Sequence, residues 1–179
     1  MDSREAKIKL LSRLNRERAA TPAMLKGLSK ALNAQVEETT LLDSSQVDAL
    51  LGSFRAGYAD SKERGASSYR RFFHREQLPV AQHLTDCLAH HLGSEQVYLL
   101  TKFNGDERGV VVEAATLFSR VGPVIDFDGD SLCALSKDGT QGVLIDHNPD
   151  DEQTYELTVW GDRWPLLVLA RDHVTPHNA

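Results

Sequence analysis

"SLCALSKDGTQGVLIDHNPDDEQTYELTVW", residues 131–160, decides the architecture of the chain. Two short apolar runs, SLCALS and GVLIDH, flank Asp138-Gly139, a pair in which both residues tolerate positive φ and which therefore reads as a hairpin turn. TYELTVW follows as a further strand. Tyr155, Leu157 and Val159 alternate with Glu156, Thr158 and Trp160, so one face is plainly apolar. Trp160 falls on the other face, where it either packs beneath a second layer or stands in a binding surface, a setting in which tryptophan is enriched. Upstream, QVYLLTKF and GVVVEA flank Asn104-Gly105 in the same manner and form another hairpin. A short helix is expected around Ala114 to Val121, between two of the strands. The sum is a mainly antiparallel sheet of about five strands, within a sheet-rich part spanning 94–170.

The period is different before that point. Ser3 can cap a helix running to about Arg18, with Ile8, Leu10, Leu11 and Leu14 as its apolar stripe. Thr21-Pro22 reads as a second start, a capping hydroxyl followed by proline at the first helical position. Met24, Leu25, Leu28, Ala31 and Leu32 then recur at helical spacing. A third helix begins at Ser44 or Ser45 and turns Val47, Leu50, Leu51, Phe54 and Tyr58 inward. SKERGASS, residues 61–68, reads as a loop. Pro79 opens a helix over 79–92 that Gly93 stops. The tail TPHNA is expected to be mobile. Helices over 1–60 followed by a sheet make a single α+β domain over 1–179.

Length and composition suit one such domain. At 179 residues and 41% hydrophobic content the chain can bury a full core. No apolar run approaches the roughly 20 residues of a membrane span. The charged start MDSREAKIKLLSRLNRER lacks the apolar centre and small-residue cleavage site of a leader, so a cytoplasmic location is expected. Cys87 and Cys133 lie in separate apolar segments without CxxC spacing and read as reduced, buried thiols.

The net charge of -6 is unevenly spread. Residues 1–75 carry 14 Lys/Arg and 9 Asp/Glu, whereas residues 121–179 carry 3 and 11. So acidic a C-terminal third repels nucleic acid and attracts cationic partners. Within it lies DFDGD, residues 126–130, with the spacing that starts a calcium loop. Counting from Asp126, Asp128 and Asp130 fit ligand positions. The required glycine falls on Ser131 and the closing glutamate on Lys137, so the template fails twice and no metal is expected there. The pentapeptide reads instead as a connection entering a strand.

Two other clusters bear on function. In HLTDCLAHH, residues 83–91, a helix brings His83, Cys87, His90 and His91 within about a third of its circumference, and these are zinc-ligand types. The same stretch carries the buried stripe Val80, Leu84, Leu88 and Leu92, with Cys87 and His91 along it or inside it. In YRRFFHR, residues 69–75, Arg70, Arg71 and Arg75 alternate with aromatics, a pattern that either grips nucleic acid or faces acidic neighbours within the fold. The acidic balance of the chain speaks against direct nucleic-acid binding. There is no GxSxG elbow, phosphate-binding P-loop, GxGxxG or HExxH. Asp146-His147 are adjacent in a strand and point to opposite faces. No catalytic residue, and no cofactor, is indicated.

The leading helices and the late YELTVWGDRW strand, flanked by acidic turns, resemble the bacterial immunity proteins that neutralise polymorphic toxins of the contact-dependent and secretion-delivered kinds. The similarity covers the C-terminal quarter and the general layout. It implies inhibition by tight binding to a cognate toxin domain, commonly a basic nuclease whose active site is occluded. No contact residue is carried over by it. From charge alone, the expected contacts are Asp126, Asp128, Asp130, Asp146, Asp150, Asp151 and Glu152, joined by Trp160 if it stands at the surface. The competing expectation is a small metal-dependent enzyme or sensor built on His83, Cys87, His90 and His91.

Overall fold

A computed structural model describes residues 3–64, 68–103, 106–129, 131–148 and 151–173. The chain runs α1 (Ser3–Leu32), α2 (Ser44–Arg64), β1 (Ser68–His74), α3 (Leu78–Leu92), β2 (Gln96–Phe103), β3 (Asp106–Glu113), α4 (Ala114–Phe118), α5 (Val121–Asp128), β4 (Leu132–Ser136), β5 (Gly142–Asn148), β6 (Asp151–Trp160) and α6 (Trp164–Asp172). Six strands form one antiparallel sheet in the order β1-β6-β5-β4-β2-β3. The fold is α+β with helices leading, and the sheet has six strands where about five are expected.

Both hairpins form where the sequence places them. β4 and β5 are joined through Asp138-Gly139, with Gly139 at φ +71 and the Asp138 carboxylate accepting bonds from Ser136 Oγ at 2.6 Å and Thr140 N at 3.1 Å. An aspartate that folds back on its own turn in this way fixes the register of the strands it joins. β2 pairs with β3 throughout, from Gln96 opposite Glu113 to Phe103 opposite Asp106. The Asn104-Gly105 turn itself lies outside the described residues, as do Asp130, Asp150 and the TPHNA tail.

The additional strand is β1. Tyr69 and Phe73 point into the core, but Arg71 stands between them on the same face and breaks the apolar alternation. Asp172 of α6 answers that charge, bonding both Arg71 and the Tyr69 hydroxyl. A partner 101 residues away makes this strand possible, and it is not visible locally.

Four further expectations are corrected. Thr21-Pro22 does not start a helix: α1 continues through Pro22 to Leu32. A helical φ and a missing N–H suit both a first turn and an interior position with one ladder bond lost, so the dipeptide marks a weak point in the ladder and not a break. DFDGD is not a connection. Asp126 to Asp128 form the last turn of α5, which Gly129 ends at φ +97. The sequence also continues in two helices, α4 and α5, where one short helix is expected. SKERGASS is divided: α2 extends to Arg64, and β1 takes Ser68. The start of α2 does agree with expectation. Asp43 accepts from Gln46 N at 2.9 Å while Gln46 Oε1 accepts from Asp43 N at 3.0 Å, a reciprocal cap.

Helices cover the two faces of the sheet unequally. One face carries Tyr155, Leu157, Val159, Val143, Ile145 and Leu99 among others, packed under α1, α3, α4, α5 and α6 in the larger core. α1 crosses α5 closely, since a Cβ at Gly27 would meet the Phe127 ring at 2.7 Å. Among the described residues the other face is covered by α2 and, before it, Leu42. Val47, Leu50, Leu51, Phe54 and Tyr58 of α2 join Leu135, Leu144, Cys133, Leu100 and Trp160 in a smaller core. Of the two placements open to Trp160, packing beneath a second layer is the one found. The side chain is 3% exposed and tilted against Phe54 at 5.8 Å and Tyr58 at 6.3 Å. It is a core residue, which removes it from the expected contact surface.

The indole occupies room left by two glycines, Gly142 beside it in β5 and Gly57 above it in α2, where any Cβ would collide with the ring. Gly142→Ala is therefore expected to cost about 1–3 kcal/mol through overpacking. A fall in the urea midpoint at unchanged slope is the reading to look for. An unchanged midpoint would mean that the ring does not sit as described.

Candidate functional site

The register of the sheet arranges the α2-facing side in three rows. The first is Ser68, Trp160, Gly142, Leu135, Tyr98 and Val111, taken from β1 across to β3. The second is Arg70, Thr158, Leu144, Cys133, Leu100 and Gly109. The third holds Phe72, Glu156, Asp146, Lys102 and Glu107. α2 lies over the first row, and its Val47, with Leu42 of the segment before it, presses on Gly109 in the second. Among the described residues no helix roofs the third row. Phe72 is 50% exposed there, and the row is mostly charged.

A groove opens where the α2 roof ends, with a volume of about 160 Å³. Its walls are Leu51 and Phe54 of α2, and its floor is Leu100, Cys133 and Leu144. Lys102, Glu107, Asp128 and Asp146 stand at its polar end. Asp128 reaches it from the C-terminus of α5. Its Oδ1 accepts from Thr101 Oγ1 at 2.6 Å and Lys102 N at 2.7 Å, and its Oδ2 accepts from Ser131 Oγ at 3.1 Å. This carboxylate clamps the end of β2 to the start of β4, which is the work of the central aspartate of DFDGD. Asp146 accepts from His147 N at 2.8 Å. Burial pushes the Cys133 thiol well above its ordinary range, and the nearby charges of Asp128 and Asp146 push it further.

The expected acidic contacts are thus brought together only in part. Asp128 and Asp146 share the groove, with Glu107 as a member that sequence reasoning did not pick out. The Lys102-Glu107 pairing across the β2–β3 hairpin was the available signal, since opposite strand residues share a face. Asp126 is exposed on α5. Asp151 is exposed at the start of β6 and bonded locally, accepting from Thr154 Oγ1 at 2.5 Å and Gln153 N at 3.0 Å, which hold its carboxyl below the usual range. Glu152 occupies the next position of β6.

The arginines of β1 face inward partners. Arg70 grips Glu156 through Nε to Oε1 at 2.5 Å and Nη2 to Oε2 at 2.7 Å, a bidentate fork. Burial of Glu156 raises its pKa, but the bonds from Arg70 and Thr158 outweigh it and leave the carboxyl below its ordinary value. Arg71 is held by Asp172. Of the two readings of YRRFFHR, these two side chains follow the intramolecular one. Arg75 lies in a short 3₁₀ turn, Arg75–Gln77, after β1.

The histidine–cysteine face of α3 is not assembled as a chelating set. Cys87 Sγ donates to Leu84 O at 2.8 Å, His91 Nδ1 lies 2.8 Å from Cys87 O, and His83 faces Arg171 at 3.3 Å. Cys87, His90 and His91 border a cavity of about 320 Å³ against α6, together with Leu167, Ala170 and Arg171. Among the described residues no group of three or more His, Cys, Asp or Glu side chains is placed to hold a metal ion. Among them, too, no helix is long and apolar enough to cross a membrane. Comparison with protein-family models, with characterised proteins and with solved structures gives no match.

Two outcomes follow from these geometries. Arg70→Met leaves a largely buried carboxylate without its fork and should cost about 1 kcal/mol at neutral pH, less than a fully buried pair because Arg70 is 46% exposed. A carboxyl held low contributes stability above its ordinary pKa of 4.5 and loses it as pH falls through the folded value. The gap between wild type and Arg70→Met should therefore be full at pH 7 and close below that range. Adding Glu156→Gln to the variant should recover most of the loss, and a pH-independent gap would argue against the pair. Thiol labelling gives the second check. Burial holds Cys87 up at about 11 and Cys133 higher still, so both should react slowly in the native protein at pH 8 and rapidly once it is unfolded.

Proposed function

We propose that this protein is a non-catalytic binding protein of the immunity type, which neutralises a cognate toxin domain by docking an acidic surface on it. One observation supports this reading above the others. Among the described residues lining the groove, Glu107, Asp128 and Asp146 stand with one cation, Lys102. The β1 cations Arg70, on the same face as the groove, and Arg71, on the opposite face, are engaged by Glu156 and Asp172, so they add little attraction for phosphate. A surface of this sign favours encounter with a basic domain, such as a nuclease that itself carries charge for nucleic acid. The metal-dependent alternative draws less support, since Cys87 and His91 bond to backbone and His83 meets Arg171.

Co-expression with a toxin-like domain encoded immediately upstream tests the reading, with protection of the host and formation of a complex as the expected results. Association should slow as salt rises, because charges are screened over about 8 Å at physiological strength. Glu107→Gln with Asp146→Asn should lower the on-rate several-fold while dissociation changes less. Asp150→Asn, Asp151→Asn and Glu152→Gln together report whether the β5–β6 turn shares the interface. If neither set alters association or protection, docking through acidic residues is wrong.

A further inference from the structure

The two faces of the sheet are held shut by unequal means. Five helices close the larger core, whereas α2, with Leu42 before it, closes the smaller one. Of the described side chains of α2, only Val47 and Leu50 are fully buried. Leu51, Phe54 and Tyr58 pack against that core half-buried. A surface helix is stabilised mainly by the apolar face it buries, and this one buries little for its 21 residues.

Two features weaken the closure further. Gly52 lies near the middle of α2, exposed, and a Cβ there would meet nothing within 4 Å, so no packing requires the glycine. It lowers the helix propensity of α2 without a contact in return. The other feature lies beneath the helix. The indole N–H of Trp160 is buried against Gly57 and has no acceptor among the described residues. A buried donor without a bond forgoes the one that water would give it. Phe54 and Tyr58 close around the ring and favour the docked helix, whereas the N–H favours the undocked one.

We infer that α2 is a lid, which opens from the sheet as a unit while the larger core stays closed. Once undocked it melts, because a lone helix of this length with two glycines is marginal in water. The segment before it stays tethered to β3, where Leu41 bridges Val110 and Leu42 N donates to Gly109 O at 2.9 Å. Opening bares Trp160, Leu135, Leu144 and Leu100 on the second face. It also moves Leu51 and Phe54, the walls of the groove, so the width of the groove follows the state of α2. Elements that move are drawn from such low-stability units beside a stable core. The motion belongs to the fold with or without a partner.

Hydrogen exchange on the ¹⁵N-labelled full chain provides the test. The indole N–H of Trp160 reports on α2. The amides of Leu99 and Ala134, opposite each other in the centre of the sheet, report on the whole fold. Protection at Trp160 should be lower than at either amide by about tenfold or more. It should also respond less to urea, because opening α2 exposes less surface than global unfolding. Ile125→Val, in the larger core, should lower protection at Leu99 and Ala134 several-fold and leave Trp160 unchanged. Gly52→Ala should raise protection at Trp160 about fivefold, the helical preference of alanine over glycine. Equal protection at all three sites, or an equal response of all three to Ile125→Val, means that α2 opens only with the whole fold and overturns the lid. An unchanged Trp160 in Gly52→Ala means that water reaches the ring with the helix intact, and overturns it as well. Should either variant fail to fold, the comparison of the three sites in the wild-type protein still decides.

Discussion

The seating of Trp160 between Gly142 and Gly57 governs the second face of the sheet. An indole is the largest side chain available, and its neighbours on either side have no Cβ, so the ring fits between α2 and the sheet at this point. Phe54 and Tyr58, one turn apart on α2, close around the ring. With that end of α2 fixed and the other pressed on Gly109 through Val47, the helix axis is determined. A single helix spans only about 10–12 Å across. It cannot roof all three rows of a six-stranded sheet, and the row it leaves open is the charged one.

The order of the rows follows physical need. The first, beneath α2, carries Trp160, Leu135 and glycine. The second mixes Leu144, Leu100 and Cys133 with Thr158 and Arg70. The third is nearly all ionic. Outside β1, whose outer residue is Phe72, polarity therefore rises in step with distance from the roof, as burial of unpaired charge would demand. Glu156 is the exception, 7% exposed in the outer row, and it is the carboxylate supplied with a bidentate arginine and a threonine hydroxyl. Asp128, at the groove, is held instead by the Thr101 and Ser131 hydroxyls and the Lys102 N–H.

The sequence was most legible where structure is local. Asp138-Gly139 and Asn104-Gly105 each mark a hairpin whose strands pair as expected, and Pro79 and Gly93 bracket α3 to within a residue. It was least legible where a distant residue decides. Arg71 sits at an inward position of β1 because Asp172 meets it, and no local pattern announces that. In DFDGD the positive φ at glycine was foreseen, but Gly129 ends a helix instead of turning into a strand, since Pro123 lies in the first turn of α5, where a missing N–H costs nothing. Trp160 was assigned to the correct face, and only the packing of α2 settles what covers it. Of the candidate site, Asp128 and Asp146 were named from charge, whereas their meeting with Glu107 depends on strand order.

That dependence changes what the acidity of the C-terminal third means. Its 11 carboxylates do not act as one field. Glu156 and Asp172 are neutralised by β1 arginines, and Asp138 and Asp151 spend hydrogen-bonding capacity on their own turns. A count along the chain treats these as equal to Asp146, although their charges are met in different ways. Antiparallel register gathers Glu107, Asp128 and Asp146 at one end of one face, where the α2 roof stops. On the docking reading proposed above, long-range attraction would bring a cationic partner toward this end of the sheet.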